Sequence, residues 1–311
     1  MVYSSQVRRY RRWARGFVLQ FASQAKKFGG ESAWRRRHCS SVSITTKFPA
    51  TTCVNDVKSM TATLKKYFGF KPTDITTLLD DQATTKAMRS GIQKLVMDAK
   101  AGDVVLLHYS GHGSNVPDKN GDEADNRDEI LCPADLNWND PLTDDWLRLT
   151  FDKRHPQASL TVILDCCHSG TATRAVNFDP KAPRSKFLAS PWDLIATETK
   201  RKLTGKLRGT RGVLLAAGTK KSDVVTADIA EVLVSGCRDT QTSADAFIGG
   251  KFRGALTYFL VETIKKAEGK LTNRTLHKQT IAGVKAGQYD QIPQLEGRAT
   301  NLDRPFLSPA V

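Results

Sequence analysis

Two short apolar runs that end in reactive side chains restrict the fold more than any other part of this 311-residue sequence. Residues 103–113 read DVVLLHYSGHG, and residues 160–170 read LTVILDCCHSG. A continuous apolar run of this length suits a strand buried on both faces, and each run breaks into Gly-bounded polar residues. In a parallel α/β sheet the carboxyl ends of the strands open on the crevice where ligands bind. His112 and Cys167, delivered there by two strands, are a candidate base and nucleophile.

The rest of the chain supplies the helices such a sheet needs. Asn55 or Asp56 can cap a helix carrying Val57, Met60, Leu64 and Phe68 at helical spacing, stopped by Gly69. Ile75–Leu79 reads as a strand, and Thr84 caps a helix to about Lys100. A helix is expected near Asp144–Asp152, strands at Gly212–Ala217 and Glu231–Ser235, and helices at Gly254–Lys266 and Thr272–Ala286. Alternating strands and helices predict a mainly parallel central sheet with helices on both faces, an α/β/α sandwich. Residues 1–40 read as a basic N-terminal extension or pro-segment. Residues 178–211, rich in Pro, Lys and Arg, read as an exposed linker between a larger part (41–177) and a smaller one (212–311) of one domain, 41–311.

Charge and cysteine usage narrow the function classes. The net charge is +15, but residues 1–50 hold eleven Lys/Arg and a single acid, Glu31, so the basic character belongs mostly to the leader. A solvated basic tail accounts for it, and no nucleic-acid-binding motif accompanies it. No apolar run approaches the roughly 18 residues of a membrane span. Cysteines 39, 53, 132, 166, 167 and 237 form no CxxC pair, which favours free thiols and a cytoplasmic location. The basic segment leaves organelle targeting open. A zinc site from Cys132, Cys167 and His168 matches no standard ligand spacing.

A thiol nucleophile needs a base or positive charge beside it, and His112 is the obvious partner. His168 directly follows Cys167 and should point to the opposite face. Backbone N–H groups of Gly113 and Cys167 are natural oxyanion donors. Asp165, two residues before Cys167, shares its face. A carboxylate there hinders thiolate formation unless it holds a substrate's basic side chain, or serves only as a structural cap.

The strings HYSGHGS (108–114) and DCCHSG (165–170) resemble those of metacaspases and orthocaspases. The tract Cys53-Val54-Asn55-Asp56, SGCRDTQTSADA (235–246) and QIPQLEG (291–297) are similar to the same family, in the same order. The 55 positions between His112 and Cys167 are close to the roughly 50 of caspases. The resemblance implies a caspase-like fold and a cysteine endopeptidase that cuts after Arg or Lys, typically a monomer acting on protein or peptide substrates. Carried over by motif, Cys167 is the nucleophile and His112 its base. Cys53, Asp56, Ser110 and Asp165 line the primary specificity pocket, and Cys166 is a bystander.

The family often uses calcium. Asp128, Asp144 and Asp145 match three of its acidic positions, whereas Arg174 stands where a fourth acid is expected, so calcium modulation is an open expectation. The acidic loop Asp118–Glu129 is no EF-hand, because Glu123 replaces the required Gly. The family's first strand is also degenerate here: Cys39–Thr52 reads CSSVSITTKFPATT. The basic linker (Arg184, Lys186, Lys200, Arg201, Lys202, Arg208, Arg211) suggests self-cleavage, with a second cut at Arg35–Arg37 to shed the leader. The competing expectation is a catalytically weak caspase-like scaffold that regulates or binds partners.

Overall fold

The computed structural model describes residues 18–22, 52–121, 123, 126–168, 180–193, 195, 224–226, 229–238 and 241–310. In chain order the first elements are β1 (Val18–Ala22), α1 (Thr52–Tyr67), β2 (Thr76–Leu78), α2 (Thr85–Met97) and β3 (Val104–Ser110). Next come β4 (Gly113–Pro117), β5 (Arg127–Leu131), β6 (Leu142–Thr143), α3 (Asp144–Phe151) and β7 (Ser159–Asp165). The chain continues with β8 (Arg184–Ser185), β9 (Val224–Thr226), β10 (Val232–Ser235), β11 (Ala244–Ile248) and β12 (Lys251–Gly254). It closes with α4 (Ala255–Lys266), α5 (Asn273–Ala286), β13 (Gln294–Gly297) and α6 (Ala299–Leu302).

The central sheet runs β9-β13-β10-β7-β3-β1-β2. It is mixed: β3, β7 and β10 form a parallel centre, and the antiparallel neighbours β13 and β1 flank it. The two reactive runs are the adjacent strands β3 and β7, paired from Val104↔Ser159 to Ser110↔Asp165. Every residue of β3 is buried, as a strand covered on both faces requires.

Strand alternation sorts the core into two layers. Val105, Leu107, Leu160 and Val162 pack with Met88 and Ile92 of α2 and Leu147 and Phe151 of α3. Val104, Leu106, Ile163 and Val232 face the other way, against Met60 and Leu64 of α1 and Leu256 and Leu260 of α4. The same alternation turns His108, Ser110 and Asp165 towards α1 and α4, so polar groups at the strand ends gather on one side of the sheet. Two three-stranded sheets, β4-β5-β6 and β8-β11-β12, stand beside the carboxyl ends of the central strands.

Local signals placed most elements within a few residues. Thr84 caps α2 by accepting from Ala87 N, and Gly69 follows α1 with a φ of 68°. Three expectations need correction. Asp56 is no cap: it lies inside α1, where its carboxylate reaches the strand ends. The place beside β3 is taken by Val18–Ala22, five residues of the expected extension, which run antiparallel to both β3 and β2. Within the expected exposed linker, Lys186 is 1% exposed and Ser190 is fully buried. Residues 39–51, Gly212–Ala217 and the remaining basic linker positions from Lys200 to Arg211 lie outside the described residues. No helix among the described residues is long and apolar enough to cross a membrane.

Candidate active site

Four elements build a small polar chamber at the ends of β3 and β7. Asp165 Oδ1 accepts from Ser243 Oγ at 2.8 Å, and its Oδ2 accepts from Thr257 N at 2.9 Å and Thr257 Oγ1 at 2.7 Å. Asp56 Oδ2 accepts from Ser110 Oγ at 2.7 Å and from Gly254 N at 2.9 Å. Between the two carboxylates sits Lys186. Its Nζ donates to Ser110 Oγ (2.9 Å) and the Asp165 carbonyl (3.1 Å), lying 3.1 Å from Asp165 Oδ1 and 3.6 Å from Asp56 Oδ2. Cys53 shares the chamber, and burial pushes its thiol up to about 12, so it is a neutral wall. Gly254 closes the wall: a Cβ there would fall 2.1 Å from Asp165 Oδ2 and 2.3 Å from Lys186 Nζ.

The charges balance around Lys186. Burial alone would lower its ammonium's affinity for a proton, but Asp165 and its acidic neighbours, Asp245 among them, reverse that and raise it. Burial likewise works against ionised Asp165, yet Lys186 and the Thr257 and Ser243 hydrogen bonds hold it below the usual carboxylate range. Asp56 goes the other way, to about 7, through burial and the charge of Asp165. The one ammonium therefore faces two carboxylates of opposite tendency, closer to Asp165 than to Asp56.

The backbone around Lys186 is laid out as an extended ligand. β8 pairs antiparallel with β11, Ser185 opposite Ala244 and Arg184 opposite Asp245. Lys186 N donates to Ser243 O at 3.1 Å, and the Lys186 carbonyl accepts from Gly113 N at 3.0 Å. Leu188 N then donates to Gly113 O at 2.9 Å. The expected oxyanion donor Gly113 therefore already holds the carbonyl of the residue whose side chain fills the pocket. Only glycine fits at 113, because a Cβ would lie 2.2 Å from the Cys167 carbonyl oxygen.

Cys167 is buried, and its Sγ accepts from Ser243 N and donates to Ser243 O (3.5 Å). Cys237 Sγ donates to Gln241 O at 3.3 Å, and the neighbouring Cys167 thiol, then burial, raise the Cys237 thiol well above its ordinary value. His112 lies at the end of β3, its carbonyl fixed by Cys132 N (3.2 Å) and Tyr109 OH. Its Nδ1 is buried with no hydrogen-bond partner. Burial and then the Lys186 ammonium lower the imidazole to about 4, keeping it neutral. His168 Nε2 lies 3.3 Å from Cys166 Sγ and 3.7 Å from Glu129.

The acidic loop is organised by its own hydrogen bonds. Asp118 accepts from Asn120 N and Gly121 N, both at 2.8 Å, and these bonds lower its carboxyl. Asp145 accepts from Arg148 (2.7 Å) and Asn120 (2.6 Å), Asp128 is buried, and burial with Glu129 and Glu123 raises Asp144 to about 6. Among the described residues, no three His, Cys, Asp or Glu side chains are arranged to hold one metal ion. Arg174 lies outside the described residues.

Sequence reasoning named Lys186 only as one of seven exposed self-cleavage candidates and did not foresee its burial; it missed Ser243, Asp245, Gly254 and Thr257. Ser243 and Asp245 lie in the quoted tract 235–246 without an assigned role. The one signal for Lys186 was its apolar sequel Phe187-Leu188 inside a basic stretch.

Residues 40–175 match the family described as "Metacaspase, peptidase C14 domain". The chain is 33% identical over 266 residues to metacaspase-1B of Neosartorya fischeri, covering 78% of this chain and 64% of that protein. It is 33% identical over 271 residues to metacaspase-1 of Debaryomyces hansenii, covering 78% and 60%. It therefore spans less than two thirds of the length of these relatives. A crystal structure of a Geobacter sulfurreducens protein superposes with a TM-score of 0.53 at 24% identity, covering 84% of this chain and 90% of that one. The chain belongs to the metacaspase family, and its mixed sheet, parallel at the centre and packed with helices, is the α/β caspase-like fold.

Two stability predictions follow from the charges. In a Cys167→Ala background, Lys186→Ala leaves two buried carboxylates without their cation and should cost roughly 3 kcal/mol in denaturant unfolding. The second concerns His108, whose Nε2 lies 3.2 Å from Thr257 Oγ1 and which burial holds down to about 3. Keeping it neutral costs nothing above pH 6.5. Below that the unfolded chain takes up a proton the folded chain refuses, and stability falls by about 1.4 kcal/mol per pH unit until the folded value is reached. The stability advantage of wild type over His108→Gln should narrow between pH 6.5 and 4, and a constant gap would contradict the assignment.

Proposed function

We propose that this chain is a cysteine endopeptidase that cleaves after Lys or Arg, and that its first substrate is its own Lys186–Phe187 bond. The observation that carries this reading is the placement of Lys186: ammonium between Asp165 and Asp56, carbonyl on Gly113 N, backbone paired with β11. These are the contacts a bound substrate would make.

The chemistry follows from the residues present. His112 takes the thiol proton, and Cys167 Sγ attacks the Lys186 carbonyl carbon. Gly113 N–H, aided by Cys167 N–H, receives the developing oxyanion. His112 then protonates the Phe187 nitrogen as the Lys186–Phe187 bond breaks. Water, activated by His112, hydrolyses the thioester and frees the Lys186 carboxylate. Neutral His112 suits the role of base, and Ser243 N donates to sulfur as it gains charge.

The scaffold alternative rests on one observation: Cys167 Sγ is bonded to Ser243, and no hydrogen bond joins it to His112 among the described residues. Incubation of the purified chain followed by mass spectrometry separates the two. Fragments ending at Lys186 and beginning at Phe187, absent from Cys167→Ala, are expected. A chain that stays whole and inert would favour the scaffold.

With peptides ending in Arg, Lys or Asp before a reporter, Arg and Lys should be cleaved and Asp not. Asp165→Asn should lower kcat/KM for the Lys peptide by roughly a hundredfold, since it removes the buried partner of the substrate charge. Parallel assays with calcium and with chelator test modulation. A calcium-dependent rate would mean that Asp128, Asp144 and Asp145 regroup around the ion.

A further inference from the structure

The chain segment in the cleft carries a second basic side chain, and its surroundings are specific. Arg184 lies two residues before Lys186, so on an extended strand both point to the same side of the segment. Lys186 enters the carboxylate chamber, whereas the Arg184 guanidinium carbon sits 4.3 Å from the centre of the Phe252 ring. Phe252 is the register partner of Phe247 across the β11–β12 hairpin, and the two rings meet edge to face at 5.2 Å. The Lys181 ammonium lies 5.3 Å from the Phe247 ring on the same hairpin. Arg184 Nη2 donates to Pro180 O at 3.4 Å, and Nη1 is buried with no hydrogen-bond partner. A guanidinium with a buried, unbonded N–H that lies over an aromatic ring is held by the ring's face.

We propose that Phe252, backed by Phe247, forms a further specificity subsite that selects a cationic side chain, Arg above Lys, two positions before the cleaved bond. This inference deepens the proposed peptidase reading and rests on it. The hairpin is well placed for the task. β11 supplies the backbone that pairs with the ligand strand, and Ser243, immediately before it, accepts from Lys186 N. Gly254 at the end of β12 donates to Asp56. One hairpin thus links the primary pocket to the aromatic platform, so occupying both requires a single extended backbone with basic residues at alternate positions. The planar guanidinium stacks on an aromatic face better than an ammonium does, which sets the order of preference.

The test compares reporter peptides of sequence X-Ser-Lys, with X = Arg, Lys, Ala or Glu, on the purified wild-type chain. Expected is a kcat/KM for Arg roughly five- to thirtyfold above Ala, with Lys between them and Glu lowest. In Phe252→Ala the Arg/Ala ratio should collapse towards one. Phe252→Leu, which keeps apolar bulk without a π face, should show the same collapse and covers the case in which the alanine variant misfolds. Equal rates for Arg and Ala on wild type, or an Arg/Ala ratio unchanged by both substitutions, would overturn the subsite while leaving cleavage after Lys intact. Failure to cleave any Lys peptide would overturn the peptidase reading, and the subsite with it.

Discussion

The buried meeting of one ammonium with two carboxylates governs this molecule. Asp56 comes from α1, Ser110 from β3, Asp165 from β7 and Lys186 from a segment otherwise read as linker, so one cluster ties four distant parts of the chain together. A carboxylate buried without a partner would cost several kcal/mol, and the Lys186 ammonium, with the Thr257 and Ser243 hydrogen bonds, keeps Asp165 ionised here. The chamber is therefore a structural knot and, under the proposed function, a description of its guest. It must hold a positive charge on an extended backbone, and the hydrogen bonds to Ser243 and Gly113 fix where that backbone runs. Charge selection and bond positioning are set by the same few atoms.

How much of this the sequence reveals depends on whether the signal is local. The apolar runs ending at Ser110 and Asp165 announce two adjacent buried strands, and their register brings those two residues opposite each other. Thr84 and Gly69 mark helix ends by their own backbone preferences. As a local signal Asp56 misleads, because Asp just before an apolar helical stripe looks like a cap; the motif resemblance grouped it with Ser110, and the fold turns its carboxylate towards Gly254 and Ser110. Lys186 misleads more deeply. A Pro-, Lys- and Arg-rich stretch has every property of a solvated loop, and its burial follows from carboxylates twenty-one and more positions away in the chain. Val18–Ala22 is a short apolar island in a basic leader, and its pairing partners lie more than fifty residues downstream.

The site also explains two glycines without appeal to flexibility. At 113 the Cys167 carbonyl occupies the place of a side chain, and at 254 the chamber itself does. Both are close-approach positions, where one methyl group would separate the reactive groups or fill the pocket.

The position of β1 changes what a cut in the leader would do. Val18–Ala22 is hydrogen-bonded on both sides, to β3 and to β2, so a break at Arg35–Arg37 would sever the covalent tie and leave the strand in place. The released piece would then be a non-covalent subunit, held by its backbone ladder. Its departure would open a gap in the sheet beside β3, the strand that carries Ser110 and leads to His112. An unpaired edge there is a template for any other strand, including that of a second copy. If such a cut occurs, the leader strand would remain part of the wall, and losing it would make assembly and catalysis depend on the same edge.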